Sequence, residues 1–167
     1  MSEFTLKKAS LADGEELYRM LQGIGSEENG FFNPVHSASW EEYRNWLKQC
    51  VDYEQGIGQP DWMVPETQFW FYVNGNPTGV GRLRHRLTPA LLNGAGHIGY
   101  ALAASFRGKG YGNILLKLLL AEAQKKGISE VRIRCQSQNL PSEKIIRYNG
   151  GILDKEENGH KLFWIRP

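Results

Sequence analysis

Apolar and polar positions alternate along the chain in two periods. Residues 4–8 form a short β-prone run that predicts a strand, and Ser10 with Asp13 has the spacing of a capping box that starts a helix. Leu17, Leu21 and Ile24 supply that helix's buried stripe. Ser39 and Glu42 repeat the cap chemistry, and Trp40, Tyr43, Leu47, Cys50 and Val51 follow at three- and four-residue steps, predicting an amphipathic helix with Cys50 in the core. Between the two helices, residues 25–34 are a polar, glycine-punctuated loop with two adjacent aromatics, either bordering a site or packed as a plain loop.

Residues 67–73 and 78–87 predict strands joined by Asn74-Gly75-Asn76-Pro77, an antiparallel hairpin. Residues 97–103 predict a third strand that leads into a glycine cluster. Ile114, Leu115, Leu118 and Leu119 then give helical spacing, closed by Lys125, Lys126 and a left-handed cap at Gly127. Residues 130–136 alternate as a strand, 141–148 read as a short helix ended by Asn149-Gly150, and 152–156 with 162–165 flank the turn Asn158-Gly159. The order is βα-α-βββ-α-β-α-ββ. Consecutive strands pair as hairpins and the two later helices each connect strands, so an α/β fold of mixed α+β type is expected, with a central mixed sheet and helices on both faces.

Composition narrows this picture. A chain of 167 residues without an internal repeat or linker fits one domain over 1–167, and 41% hydrophobic residues exclude a disordered chain. Twenty Lys plus Arg against 18 Asp plus Glu leave +2, too near neutral to imply a polyanion partner, so any anion site is local. Cys50 and Cys135 show neither CxxC spacing nor a disulfide framework, and Cys135 is expected to face inward with Val131 and Ile133. With no signal peptide or membrane span recognisable, the expected location is the cytoplasm. No HExxH, paired Cys/His ligands or Gly-x-Ser-x-Gly elbow occurs, so no metal is expected.

Glycine is the outlier, with 19 residues, about 11% against a usual 7%. Six lie between positions 94 and 112: Gly94, Gly96, Gly99, Gly108, Gly110 and Gly112. Arg107-Gly108-Lys109-Gly110-Tyr111-Gly112 falls between a predicted strand and the strongest predicted helix, where backbone amides and the helix N-terminus favour an anion and two cations add charge. The same glycines could simply make a tight turn. A Walker A loop is excluded because Gly108-Lys109 is followed by Gly110, and a dinucleotide fingerprint fits poorly because the spacing is GxGxG and Glu130 begins the next strand instead of ending it.

The pattern that remains, Arg/Gln-x-x-Gly-x-Gly/Ala, resembles the acyl-CoA pyrophosphate loop of the GCN5-related N-acetyltransferase (GNAT) family. The element order resembles that family over essentially the whole chain, most strongly from Gly94 to Ile152, and Gly96-His97-Ile98-Gly99-Tyr100 resembles a subgroup of uncharacterised predicted acetyltransferases. The resemblance implies a mostly antiparallel central sheet and acetyl-CoA as co-substrate. Its pantetheine arm would meet the backbone of Tyr100, Ala101 and Leu102, and its pyrophosphate the loop from Arg107 to Gly112, with Asn139 and Ser142 also in contact. It further implies that the Tyr100 N–H stabilises the tetrahedral oxyanion formed when an amine attacks the thioester.

The sequence departs from the family at the thiolate's proton donor. A Tyr usual four residues before the final helix's Gly is replaced by Ile146, and Tyr148 points about 200° away around the helix. Candidate bases for the amine are His97 on the strand before the loop and Glu28, beside Glu27, in the loop between the first helices. The expected reaction is acetyl transfer to a small-molecule or peptide amine in a ternary complex. A catalytically silent acyl-CoA-binding or regulatory domain is the alternative, motivated by Ile146. Arg82, Arg84 and Arg86 share one face of a strand, expected to be solvated; with Arg132 and Arg134 they would also serve a nucleic-acid binder, a weaker reading given the near-neutral charge. No membrane partner is expected, and a homodimer is compatible with the sequence.

Overall fold

Backbone hydrogen bonding gathers seven strands into one sheet in the computed structural model, which describes residues 1–167. In chain order the elements are β1 (Phe4–Lys8), α1 (Glu15–Gln22), β2 (Glu27–Glu28), β3 (Phe31–Phe32), α2 (Trp40–Glu54), β4 (Glu66–Val73), β5 (Asn76–Arg84), α3 (Pro89–Leu92), β6 (Ile98–Leu102), α4 (Tyr111–Lys125), β7 (Val131–Gln136), α5 (Leu140–Tyr148), β8 (Ile152–Glu157) and β9 (His160–Ile165). The large sheet runs β1-β4-β5-β6-β7-β9-β8, antiparallel at every neighbouring pair but β6 and β7. No helix is long and apolar enough to cross a membrane.

Strand periodicity divides the interior into two cores. Phe69, Phe71 and Val73 of β4 pack with Leu115, Leu116 and Leu119 of α4, while the intervening Trp70 and Tyr72 pack with Leu17 and Leu21 of α1 and Tyr43 and Leu47 of α2. Helices therefore cover both faces. The tight approach of α4 explains Gly81 on β5, where a Cβ would sit 2.6 Å from Leu119 Cδ2.

Local chemistry accounts for most boundaries. The Ser39 and Glu42 box closes in both directions, with Ser39 Oγ accepting the Glu42 N–H at 3.1 Å and Glu42 Oε2 accepting the Ser39 N–H at 2.6 Å. The Ser10 and Asp13 pair behaves differently from expectation. Asp13 Oδ2 accepts the Ser10 N–H and the Trp70 Nε1–H, each at 2.7 Å, which makes a turn tied to the core, and α1 starts later behind Gly14. Cys50 is partly exposed because α2 fully buries only Tyr43 and Leu47. The loop at 25–34 contains a small hairpin, β2 with β3, turning at Asn29-Gly30, and Thr88 caps the unpredicted helix α3.

The pair β6 and β7 differs from every other in the sheet, matching at one register position, Ile98↔Ile133. On its near side the chain runs against the Arg132 carbonyl through Gly96, at φ 68°, where any Cβ would collide with backbone. The His97 N–H then donates to Arg132 O at 2.8 Å, and His97 Nδ1 accepts the Arg132 N–H at 2.8 Å. An imidazole here replaces a strand's carbonyl. His97 is 5% exposed, and its acceptor nitrogen is occupied, so the residue expected as a candidate base is a structural bridge. Burial first, and the Arg84 charge second, push its pKa down to about 4.

An imidazole held neutral in the fold contributes stability that is complete above pH 6.5 and is lost as pH falls through about 4. The loss amounts to roughly 3 kcal/mol. Denaturant melts at stepped pH are expected to show this decline in the wild type and a flatter one in His97→Gln; superimposable acid limbs would contradict it.

Candidate active site

The turn before α4 is built to stay open. Gly110 caps the helix at φ 80° without any side-chain cap, so first-turn amides of α4 keep their donors free at the positive end of the helix dipole. Gly108 has φ 76°, and a Cβ at either glycine would meet nothing within 4 Å. Gly112 serves another purpose, because its missing Cβ admits Ile145 Cδ1 and brings α5 against α4.

The two cations of the turn are placed unequally. Arg107 Nε and Nη2 donate to the Leu102 carbonyl at 3.1 and 2.9 Å, and Nη2 also pairs with the Glu28 carboxylate, so Arg107 joins the turn to β6 and to the β2–β3 hairpin. Lys109 lies outside the cavity wall, with Nζ 5.7 Å from the centre of the Phe106 ring.

Beyond Ile98 the strands β6 and β7 part, and hydrogen-bond alternation decides which groups face the gap. Arg84 N–H donates to His97 O at 2.7 Å and Ala103 N–H to Thr78 O at 3.0 Å, so the His97 C=O, the Ala103 N–H and the backbone of residues 99 and 101 between them turn to β5. Residues 98, 100 and 102 turn theirs the other way. The Tyr100 N–H and C=O and the Leu102 N–H therefore edge the gap, while Leu102 C=O is held by Arg107. Ala101, expected to present backbone there, is paired to β5 and lines the gap without doing so.

Seam and turn open into a single cavity of about 520 Å³, within the range of small-molecule sites. The α5 end supplies its far wall. Asn139 caps α5 by accepting the Ser142 N–H at 3.2 Å, and Ser142 Oγ lies 2.9 Å from Tyr100 Oη. Burial pushes the Tyr100 phenol up to about 12, against the Ser142 hydrogen bond. Ile146 is in the core under α4, and Tyr148 is exposed, so the tyrosines that line the cavity, Tyr100 and Tyr111, come from β6 and α4 and none from α5.

On the opposite face of the sheet the cavity is lined by Phe31, Arg82, Arg84, Arg134 and His160. The three arginines thus do not form the solvated strand face expected: Arg82 and Arg84 are half-buried on β5, and Arg86, which is exposed, lies beyond the strand's end. Arg132 is buried against Asp154 and the Trp164 ring, which removes it from any surface patch. Sequence reasoning considered Arg134 only for nucleic acid and did not place it or His160 at this site. The signals were there, since Arg134 alternates with the inward Ile133 and Cys135, and His160 follows the Asn158-Gly159 turn.

His160 Nδ1 lies 3.1 Å from the Asn158 carbonyl, which can only accept, so Nδ1 carries the proton and Nε2 is left as the basic nitrogen. Glu28 does line the cavity, but it already accepts the Gly25 N–H at 2.6 Å and pairs with Arg107. Burial alone would raise its pKa; those two contacts bring it below the usual carboxylate range. Cys135 reaches the wall from the α4 side, its thiol pushed up to about 11 by burial, and no three His, Cys, Asp or Glu side chains converge to hold a metal.

The chain matches the acetyltransferase (GNAT) family over residues 32–150. Among solved structures it is similar to a ribosomal L7/L12 alpha-N-protein acetyltransferase in complex with coenzyme A, at 20% identity over 98% of this chain and 93% of that one, with a TM-score of 0.72. It is also similar to the ribosomal-protein-S5-alanine acetyltransferase from Vibrio fischeri, at 14% identity over 98% and 92%, TM-score 0.73. The Campylobacter jejuni N-acetyltransferase PseH gives 14% identity over 98% and 97%, TM-score 0.67. Likeness at these identities speaks for the fold. No curated protein matches the chain. With more than half of the sequence inside the family match, and a parted strand pair leading to a glycine turn at a helix N-terminus, the protein belongs to the GNAT acetyltransferase family.

Proposed function

We propose that the protein transfers the acetyl group of acetyl-CoA to a primary amine by direct attack, with both substrates in the cavity between β6, β7 and the β2–β3 hairpin. One observation carries this: the free backbone edge of Tyr100 and Leu102 and the open Gly108–Gly110 turn belong to the same cavity. An extended amide-bearing arm meets the first by strand-like hydrogen bonds, and a pyrophosphate meets the second through the α4 amides. The donor supplies an activated acyl group. The Tyr100 N–H is the preorganised dipole for its carbonyl oxygen.

Roles differ among the other residues. Gly108, Gly110 and Tyr111 offer backbone to the pyrophosphate, Gly112 and Arg107 hold the turn in shape, and Lys109 contributes charge at its rim. Asn139 fixes the start of α5, and Ser142 orients the Tyr100 ring. His160 takes the amine proton, in place of Glu28, whose carboxylate is engaged by Arg107. A thiol is a good leaving group, so the place of Ile146 in the core does not favour a silent binding domain. Cys135, neutral near pH 7, forms no acyl-enzyme.

In Gly110→Val, a β-branched side chain at φ 80° strains the turn and fills the open space, so the dissociation constant for acetyl-CoA is expected to rise tenfold or more, about 1.4 kcal/mol, while circular dichroism stays native. Unchanged affinity in the folded variant would refute the pyrophosphate site. His160→Gln is expected to lower kcat about 100-fold, with acetyl-CoA affinity retained. A wild-type kcat would exclude His160 as the base.

A further inference from the structure

The acceptor side of the cavity holds three guanidinium groups, and they are not equally engaged. Arg82 is tied by neutral partners: Nε donates to Gln68 Oε1 at 3.1 Å, Nη2 to the Phe32 carbonyl at 2.8 Å, and the group stacks 4.5 Å above the Phe31 ring. Arg84 Nη1 donates to the Gly96 carbonyl at 3.3 Å, and its Nε lies 3.5 Å from Glu66 Oε2, a loose pairing. Arg134 lines the same wall, half-buried, with no carboxylate within ion-pairing reach. Arg84 and Arg134 line one cavity, so two like charges share that wall, and burial first and the charge of Arg84 second lower the Arg134 pKa.

A half-buried guanidinium facing a second one is costly without an anion between them. No carboxylate of the chain supplies it to Arg134, because Glu66 lies beside Arg84 alone and Glu28, the carboxylate on the cavity wall, is taken by Arg107 on the side of the glycine turn. Side-chain alternation on β7 sends Arg134 to the face away from α4, whereas the glycine turn opens at the α4 terminus. The missing anion is therefore not the pyrophosphate of the donor. A carboxylate or phosphate presents paired oxygens that a guanidinium binds in a fork, the geometry free at Arg134.

We propose that the acceptor carries an oxyanion beside its amine, bound by Arg134 and Arg84. This rests on the acetyl-transfer reading above and names the substrate class for that site. An acceptor of this kind is held by its acid group on β5 and β7 while its amine points at the gap beside Tyr100. Uncharged amines lack the anchor.

The test compares matched acceptors with acetyl-CoA: glycine and an acidic dipeptide against their amides, and phosphoethanolamine against ethanolamine. At least one charged member is expected to exceed its neutral twin about tenfold in kcat/KM, and the pair that does so identifies carboxylate or phosphate as the source. In Arg134→Gln that ratio is expected to fall toward one, with acetyl-CoA affinity and thermal stability kept. Neutral twins that react as well as the charged ones, or a ratio untouched by Arg134→Gln, would overturn the proposal. A binding measurement covers the case in which no member of the panel turns over. CoA-loaded protein titrated with N-acetylglycine and N-acetylglycinamide, followed by NMR line broadening, is expected to bind the acid alone, and only with Arg134 present; equal binding or none would overturn the proposal. Absence of CoA binding would instead strike the acetyl-transfer reading.

Discussion

The interrupted pairing of β6 with β7 is the constraint on which the rest of the structure depends. Two parallel neighbours that matched along their whole length would satisfy the Tyr100 and Leu102 amides within the sheet and leave no room between them. Here the match ends at Ile98↔Ile133, and the near end is locked by Gly96 and by the two hydrogen bonds between His97 and Arg132. That lock lets the strands diverge without unzipping. The unpaired edge is tolerable because it faces a cavity, where water or a substrate can take the place of a strand.

Electrostatics then gives the two ends of the cavity different tasks. At the α4 end, positive potential comes from backbone amides and the helix dipole, held open by Gly108 and Gly110, while Arg107 is used internally. At the other end it comes from side chains on β5 and β7, Arg84 and Arg134. The ion pair of Glu28 with Arg107 spans the two, linking the β2–β3 hairpin to the glycine turn. The hairpin is thus positioned from the donor side, although its Phe31 lines the acceptor side.

Much of this was legible in the sequence because it is local. Capping at Ser39, the Asn74-Gly75 hairpin, the α4 stop at Gly127 and the glycine turn each depend on a few neighbouring residues, and each formed as expected. What stayed hidden was long-range. Ser10 and Asp13 look like a helix cap until Trp70, 57 residues beyond Asp13, claims the same carboxylate. His97 looks like a base until its contact with Arg132, 35 residues away, makes it an acceptor in the sheet. Arg134 and His160 carry no motif, and only the registers Arg134↔Leu162 and Gln136↔His160 bring them to one wall.

The central claim is that the β6 edge is left unpaired for a substrate to complete, and amide hydrogen exchange at Tyr100 and Leu102, followed by NMR with and without acetyl-CoA, tests it most directly. In the free protein these two amides are expected to exchange quickly while Gly99 and Ala101, bonded to β5, are protected, and acetyl-CoA is expected to slow Tyr100 and Leu102 selectively. Full protection of Tyr100 before the cofactor is added, or exchange that acetyl-CoA leaves unchanged although it binds, would contradict the account.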